Sequence, residues 1–272
     1  MLIGSREFDT DNHCYVMGIL NVTPDSFSDG GKYNSLDSAL IQAEKMINEG
    51  ASIVDVGGES TRPGYQKIPI QEEIERTSKV IEAIKSRFDI PVSIDTYKPE
   101  VAEEALKVKA DMINDIRGFQ YDERIAKLTA DYGAACCLMH WREKPNYTSF
   151  MDDVIKDLQI SIDIAKKYGV NENKIILDPG VGFGKTVENN LEITNKVDEL
   201  KRWGYPVLLA TSRKSMIGLT LDLPVDQRLE GTIATTVIGV MKGCSFVRVH
   251  DVKENIRAIK MTEAILARNG EY

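Results

Sequence analysis

The sequence predicts an α/β protein, a single (β/α)8 TIM barrel over residues 1–272 with its active site at the C-terminal rim of the strands. Eight short apolar runs alternate with amphipathic stretches at roughly 30-residue spacing, which favours parallel strands over hairpins. No linker rich in Ser, Gly or Pro divides the chain. Each predicted strand is followed by polar side chains, which a closed barrel gathers on one rim. An open doubly wound sheet, the alternative, would scatter them along an edge.

The predicted strands are short apolar runs bounded by polar or turn residues. They are Tyr15–Leu20, Ser52–Val56, Val92–Ile94, Met112–Ile113, Ala134–Met139, Lys174–Leu177, Pro206–Leu209 and Ser245–Val249. Helical patterns are predicted at 36–49, 71–87, 99–109, 121–131, 151–168, 188–202, 228–243 and 252–267. Acidic residues open the second of these helices and Pro99 opens the third, and both are favoured at a helix N-terminus.

Composition and charge argue against several classes of protein. The chain carries 34 basic and 42 acidic residues, a formal net charge of −8, which disfavours nucleic acid or an acidic membrane as a partner. No apolar run approaches the roughly 20 residues that span a bilayer, and no secretory signal is expected. Cys136 and Cys137 lie in the apolar run A-A-C-C-L-M. We therefore expect buried reduced thiols and a cytoplasmic protein.

The stretch D-P-G-V-G-F-G-K-T at 178–186 looks like a phosphate-binding loop but fits neither common pattern. A Walker loop needs a glycine at 179, and Pro179 has no N–H to offer a phosphate. The dinucleotide pattern needs a third glycine where Lys185 stands. The stretch must therefore serve another purpose, which the other strand ends help to define.

Each strand end has an ordinary structural explanation when it is taken alone. Asp95 could cap the next helix, Asn114 and Asp178 could be turn residues, and His140 could be a structural histidine. Arg248 could be a solvated charge. Coincidence at all eight ends is harder to accept, so the joint pattern favours a site.

The residue types suggest a ligand class. A flat heterocycle can be read at its edges by two carboxylates, an amide and an ammonium, here Asp95, Asp178, Asn114 and Lys214. A phosphorylated tail would suit the cationic cluster of Arg62, Arg248 and His250. Glycine-rich pieces at 29–31 and 57–58 supply flexible loops. The residues alone therefore indicate a barrel enzyme for a planar, nitrogen-rich, phosphorylated small molecule.

Seven motifs extend this interpretation, because together they resemble the dihydropteroate synthase family in the same order. They are N-V-T-P-D-S-F-S-D-G-G at 21–31, G-G-E-S-T-R-P-G at 57–64, S-I-D-T at 93–96, I-N-D-I at 113–116, L-D-P-G-V-G-F-G-K-T at 177–186, S-R-K-S at 212–215 and R-V-H-D-V at 248–252. The resemblance implies a TIM barrel and a transferase of folate biosynthesis. The family joins 6-hydroxymethyl-7,8-dihydropterin diphosphate to p-aminobenzoate, releasing pyrophosphate, and is the target of sulfonamides. It also implies Mg²⁺ as cofactor and a homodimer.

The resemblance assigns roles position by position. The pterin would be held by Asp95, Asn114, Asp178 and Lys214, with Met139 and Phe183 near its ring. The diphosphate would be served by Asn21, Thr61, Arg62, Arg248 and His250, with Mg²⁺ held by Asn21. The aminobenzoate would be bordered by Phe27, Pro63 and Ser215, and Val249 is placed among the substrate-binding residues. The catalytic set is Asp95, Lys214, Arg248, Asp29 and Arg62. On this view, Lys185 and Thr186 merely open the next helix.

The loop after the fifth strand departs from the family pattern, and two rival functions stay open. Trp141 stands where the family has a methionine, and the family's glycine near Pro145 is missing, which affects the shape of this loop but not the expected pterin contacts. A pterin-binding methyltransferase shares the barrel and floor but has no need of the two long diphosphate loops. A non-catalytic scaffold would be expected to have lost Lys214, Arg248 or the first loop.

The stretch Thr232–Met241 predicts how the chain associates. It reads T-I-A-T-T-V-I-G-V-M and is apolar or small nearly all round, so more than one of its faces should be covered. Packing within the chain is one explanation. The family resemblance favours the other, a homodimer through the late helices.

Overall fold

A computed structural model describes residues 1–22, 32–59 and 67–267. Its strands are β1 Leu2–Ile3, β2 Arg6–Glu7, β3 Tyr15–Asn21, β4 Ile53–Gly57, β5 Val92–Asp95, β6 Met112–Asp115, β7 Ala135–Met139, β8 Ile175–Asp178, β9 Leu208–Leu209 and β10 Phe246–Val249. Its helices are α1 Lys32–Asn48, α2 Ile70–Arg87, α3 Pro99–Lys107, α4 Arg124–Tyr132, α5 Phe150–Lys167, α6 Val187–Asn195, α7 Ser215–Leu221, α8 Leu229–Met241 and α9 Val252–Ala267. Short 3-10 turns lie at Glu172–Lys174, Val197–Trp203 and Val225–Gln227.

Strands β3 to β10 form one parallel sheet that closes on itself. The strand order is β8-β7-β6-β5-β4-β3-β10-β9. A bridge between Leu177 and Val207 joins the two ends of this order, and the Leu177 N–H donates to the Pro206 carbonyl at 3.0 Å. The predicted (β/α)8 barrel is therefore confirmed, and all eight predicted barrel strands are present.

Alternate residues of the strands fill the barrel interior, as the two-residue period of a strand requires. The interior cluster includes Met17, Ile53, Met112, Cys137, Ile176, Leu208 and Phe246. The β1–β2 hairpin, which the sequence did not predict, contributes Ile3 and Phe8 to the same cluster. The ring of Phe8 packs 4.9 Å from that of Tyr15 and 5.6 Å from that of Phe246. The chain therefore packs aromatic side chains around the N-terminal ends of β3 and β10.

The helices agree with the predicted alternation except after β8 and β9. The pattern at 188–202 divides into α6 and the 3-10 turn Val197–Trp203. The seven-residue helix α7 follows Lys214 and was not predicted, because the alternation allowed only one helix between β9 and β10. Pro99 occupies the first turn of α3, as expected.

Two expectations from composition are answered by the described part of the chain. Within residues 1–22, 32–59 and 67–267, no helix combines the length and apolar character needed to cross a membrane. Its four cysteines are all buried and free of disulfides. Burial raises the pKa of Cys136 and Cys137, which keeps both thiols protonated at neutral pH.

Candidate active site

Strand register brings the predicted polar residues together at the C-terminal rim. Asn21 on β3 pairs with Gly57 on β4, Gly57 pairs with Asp95 on β5, and Asp95 pairs with Asn114 on β6. Further round the ring, Met139 on β7 pairs with Asp178 on β8. Because these residues end their strands or lie one residue from the end, their level is the rim at which barrel enzymes build active sites.

An ion network lies beneath this rim. The Arg248 guanidinium donates through Nε to Asp55 Oδ2 and through Nη2 to Asp95 Oδ2, each at 2.6 Å. The Asn114 amide donates to the same Asp55 oxygen at 3.2 Å. Asp55 is fully buried, at 0% exposure. One carboxylate from β4 thus orients both a cation from β10 and an amide from β6.

Two carboxylate oxygens of this network have no hydrogen-bond partner within the described part of the chain. They are Asp55 Oδ1 and Asp95 Oδ1, and both atoms are buried. A buried unpartnered acceptor costs about 1–3 kcal/mol, so native structures rarely keep one without a purpose. Their unmet hydrogen-bonding capacity marks this network as a candidate for ligand recognition.

The other side of the mouth combines Asp178 with Lys214. Asp178 Oδ1 accepts from the Gly180 N–H at 2.6 Å. The Lys214 ammonium donates to the Val181 carbonyl and lies 4.8 Å from the ring centroid of Phe183. Burial raises the pKa of Asp178 while Lys214 opposes the rise. Burial lowers the pKa of Lys214 to about 8 while Asp178 opposes the fall.

The ion network of Arg248 and the pair of Asp178 and Lys214 act on one another electrostatically, so the two sides of the mouth form a single site. Burial raises the pKa of Asp95, an effect that the Arg248 guanidinium opposes. Although burial alone would lower the pKa of Arg248, Asp55 and Asp95 raise it. Asp95 also raises the pKa of Lys214, and Arg248 lowers that of Asp178. The mouth therefore holds three carboxylates and two cations in one electrostatic unit.

An apolar wall stands beside this polar floor. Tyr97, Ile116 and Met139 form a buried cluster against which Trp141 and Phe183 pack. Ligand sites combine such apolar lining with a few fixed polar groups. A planar heterocycle fits this combination, because its faces contact the wall while its edges reach the carboxylates, amide and ammonium.

Trp141, the departure from the family pattern, has a defined place. The Arg117 guanidinium lies 3.3 Å from the centroid of the Trp141 ring and 5.5 Å from that of Tyr97. The negative face of an aromatic ring attracts a cation placed over it. The loops after β6 and β7 are therefore held together beside the wall.

Three further predicted residues, Ser215, Val249 and His250, lie at the start of α7 and at the end of β10. His250 Nδ1 lies 2.9 Å from Ser212 Oγ, and the His250 backbone N–H donates to the same hydroxyl at 3.1 Å. Val249 is buried, whereas Ser215 is exposed where α7 begins. Ser212 therefore orients the His250 ring, and neither Val249 nor Ser215 lies in the floor network.

Comparison with known proteins decides the family. Residues 17–250 match the family model described as "Pterin binding enzyme". A Clostridium beijerinckii dihydropteroate synthase is 58% identical over 98% of this chain and 100% of its own length. This chain belongs to the dihydropteroate synthase family. A Clostridium difficile member solved in the presence of pteroic acid has a TM-score of 0.93 at 51% identity, covering 95% of this chain and 99% of its own. A Yersinia pestis member in a sulfonamide drug complex has a TM-score of 0.92 at 41% identity, covering 98% and 99%.

The structure gathers the four residues that dihydropteroate synthase motifs predicted for the floor. Asp95, Asn114, Asp178 and Lys214 share the mouth, with Met139 and Phe183 at its wall. Arg248, predicted for the diphosphate, donates to Asp55 and Asp95, and its role with the diphosphate stays a prediction. The predictions for Phe27, Asp29, Thr61, Arg62 and Pro63 lie outside the described residues, as does most of the two loops that carry them.

Sequence reasoning missed Asp55 and misjudged Lys185. A signal for Asp55 was available, because a carboxylate inside the apolar strand I-V-D-V-G is costly unless it is paired. The expectation that Lys185 merely opens a helix is wrong. Thr186 does cap α6, through a capping box with Asn189, but the Lys185 ammonium turns back and contacts His140 and two carbonyl groups of its own loop.

Proposed function

We propose that this protein carries out the dihydropteroate synthase reaction at the mouth of its barrel. It would join 6-hydroxymethyl-7,8-dihydropterin diphosphate to p-aminobenzoate, giving 7,8-dihydropteroate and pyrophosphate. The observation that carries the proposal is the placement of Asp95, Asn114, Asp178 and Lys214 beside the apolar wall. A pterin offers N–H groups, a carbonyl oxygen and a flat ring, which these side chains can engage together.

Recognition follows from donor and acceptor types. Asp178 would accept from the 2-amino group and the adjacent ring N–H, because an ionised carboxylate accepts only. Lys214 would donate to the carbonyl side of the ring, since an ammonium donates only. The buried free oxygens of Asp55 and Asp95 would accept from the remaining N–H groups. A site built from such buried groups rejects ligands that leave them unpaired.

The chemistry needs little more than a fixed electrostatic field. The bond between the exocyclic CH₂ and the diphosphate oxygen would break, and the diphosphate would leave with the electron pair of that bond. Electrons from the dihydropterin ring nitrogen would move toward the CH₂ carbon as this happens. The aromatic amine would then form the new C–N bond and lose a proton. Asp95 would stabilise the cation-like transition state, an effect of about 3 kcal/mol when a preorganised group of this kind is removed. No strong general base is required, because the amine is already nucleophilic.

The residues at the rim suit a Mg²⁺ ion that binds together with the diphosphate. Within the described part, no cluster of three or more His, Cys, Asp or Glu could cage a metal ion. Asn21 ends β3 at the rim, and its Oδ1 lies beside Gly57 of the neighbouring strand. A Cβ added to Gly57 would be 3.7 Å from this oxygen. Mg²⁺ prefers oxygen ligands and binds through few protein groups plus phosphates and waters. Asn21 and the diphosphate would therefore hold Mg²⁺, which would neutralise charge on the leaving group, with Thr61, Arg62, Arg248 and His250 assisting.

The aminobenzoate would lie at the outer part of the mouth. Phe27, Pro63 and Ser215 would border it, and Val249 would be among the substrate-binding residues. Asp29 and Arg62 would belong to the catalytic set. Because the Yersinia pestis relative was solved with a sulfonamide drug, we expect sulfonamides to compete with aminobenzoate here.

We also propose a cytoplasmic homodimer that forms through the late helices. Helix α8 buries Thr232, Thr235, Thr236, Gly239 and Val240, so its packing within the chain uses small residues. Large apolar side chains stay exposed on α7, α8 and α9, namely Leu219, Leu221, Ile238, Met241, Met261 and Ile265. Such exposure is typical of a surface that a second copy covers. A dimeric mass in light scattering at micromolar concentration is expected, and a monomeric mass would refute this part of the proposal.

Pyrophosphate release tests the proposed reaction directly. The protein would be mixed with both substrates and Mg²⁺, and release should depend on each of the three. A pterin-binding methyltransferase or a non-catalytic scaffold would release none. Absence of release with folded protein would remove the proposed function.

A further inference from the structure

Lys185, in the loop after β8, makes three polar contacts behind the pterin site. Its ammonium donates to the carbonyl oxygens of Gly180 at 2.9 Å and Phe183 at 3.1 Å. It also lies 2.7 Å from His140 Nδ1. Burial lowers the pKa of Lys185 to about 7, an effect that Asp178 opposes. In its protonated form the side chain has three N–H groups, and the three acceptors match them. The lysine of a G-K-T sequence here holds its own loop rather than a phosphate.

The histidine end of this arrangement is fixed as well. The His140 ring is buried, and its Nε2 lies 3.1 Å from Asp157 Oδ2. Burial lowers the pKa of His140 to about 4, so the ring is neutral at pH 7. With Nε2–H donated to Asp157, Nδ1 is left as the acceptor for Lys185. Arg142 donates to the same Asp157 oxygen at 2.6 Å, which ties the network to the loop after β7.

The turn at 180–184 packs closely against its neighbours and depends on its glycines. Gly180, Gly182 and Gly184 all have positive φ, at 68°, 87° and 57°. A Cβ on Gly180 would lie 1.9 Å from the His140 carbonyl oxygen, so only glycine permits this approach. Tyr147 donates its hydroxyl to the Gly184 carbonyl at 2.8 Å, and the Gly182 N–H donates to Asn190 Oδ1 at 2.7 Å.

This turn carries the groups that form one side of the proposed pterin site. Its Gly180 N–H orients Asp178, its Val181 carbonyl accepts from Lys214, and Phe183 supplies part of the apolar wall. Lys185 contacts the two carbonyls that flank Val181 and Gly182. Its ammonium therefore joins both ends of this short segment to His140.

We propose that Lys185 is a positioning residue, which pins the 180–184 turn from behind and so fixes the pterin side of the site without touching either substrate. The inference rests on the proposed function, because the pterin is the ligand that the turn would serve. Loss of the ammonium should loosen the turn, weakening pterin binding more than aminobenzoate binding.

The test compares three variants. Lys185→Met keeps the length of the side chain but removes its donors, and Lys185→Arg keeps charge and donors. Lys174→Met is the matched control, because Lys174 also donates to a backbone carbonyl, that of Gly133 at 2.6 Å, but lies before β8 at the opposite end of the strand. KM for each substrate, kcat, and hydrogen exchange of residues 180–184 in the free protein are measured for each.

Lys185→Met should raise the KM for the pterin diphosphate about tenfold or more, leave that for aminobenzoate within about twofold, and speed exchange at 180–184. Lys185→Arg should restore most of the pterin affinity, and Lys174→Met should match the wild type. An unchanged pterin KM in Lys185→Met would overturn the inference. So would equal losses for both substrates with faster exchange throughout the chain.

Two safeguards keep this test decisive. If Lys185→Met does not fold, Tyr147→Phe removes another hydrogen bond to the same turn, and an unchanged pterin KM there would contradict the account. If wild-type protein releases no pyrophosphate, the proposed function falls, while exchange at 180–184 in the free protein still reports whether Lys185 pins the turn.

Discussion

The two ends of the barrel use buried space in opposite ways. At the N-terminal end, Phe8 of the hairpin packs on Tyr15 and Phe246. At the C-terminal end, Asp55, Asp95 and Arg248 are drawn together, and two carboxylate oxygens have no partner in the described part of the chain. The first arrangement stabilises the fold through packing. The second costs folding free energy and provides polar groups that a ligand can satisfy.

This contrast explains why the site can be preorganised. The groups at the rim are held by strands that the interior packing keeps rigid, so they need not reorganise when substrate binds. Substitutions at the hairpin end should therefore change stability with little effect on turnover. Substitutions at the rim should change turnover with little loss of stability.

The largest expected effect is at the hairpin end. Phe8→Ala should lower the free energy of unfolding by about 3–5 kcal/mol, because it leaves a cavity beneath an aromatic cluster. Urea unfolding followed by circular dichroism measures this change. Phe8→Leu is the matched control and should cost less. The kcat of folded Phe8→Ala should stay within about twofold of wild type. A loss of about 100-fold, as large as that expected at the rim, would contradict the difference between the two ends.

The next effect is at the rim. Asp95→Asn should lower kcat by about 100-fold to 1000-fold, since it removes the charge that would stabilise the cation-like transition state. Asp111→Asn is the matched control, because Asp111 is also paired with a cation, Lys85 at 2.7 Å, but just before β6, at the opposite end of the barrel. Steady-state pyrophosphate release and thermal unfolding should be measured for both. Wild-type turnover in Asp95→Asn would remove Asp95 from this role.

A smaller effect should appear in the pH dependence of pterin binding. The half-buried Lys214 has a pKa lowered to about 8 by desolvation, so its protonated fraction falls as pH rises through that value. Affinity should be about tenfold weaker at one pH unit above it. Asp178 has a raised pKa, so affinity should also fall on the acid side as that carboxylate takes up a proton. Lys214→Arg should remove the decline near pH 8, and an unchanged decline there would contradict the assignment. A decline at lower pH would remain, because burial lowers the pKa of Lys185 to about 7.

The barrel and much of its rim could be predicted from the sequence because both follow local rules. Buried parallel strands appear as apolar runs, and residues after those runs share a rim. Asp95, Asn114, Asp178 and Lys214 were found in this way, and the family motifs supplied their proposed roles. The single-domain prediction and the individual roles stay predictions that the experiments above address.

The rest could not be predicted, because it depends on contacts between distant segments. The hairpin strands L-I and R-E lack an apolar run as long as the P-V-L-L that contains β9, so they give too little pattern to detect. The direction of the Lys185 side chain depends on His140, 45 residues away in the chain. Asp55 became meaningful only when Arg248, 193 residues later, was seen to contact it.

Calorimetric titration of the pterin diphosphate into wild type and Asp178→Asn tests the central claim most directly. The account predicts one pterin per chain, and an affinity about 30-fold weaker or more in the variant, from loss of a charge-assisted hydrogen bond. Equal affinity in the two proteins would contradict it, because Asp178 would then not belong to the group of side chains that holds the pterin.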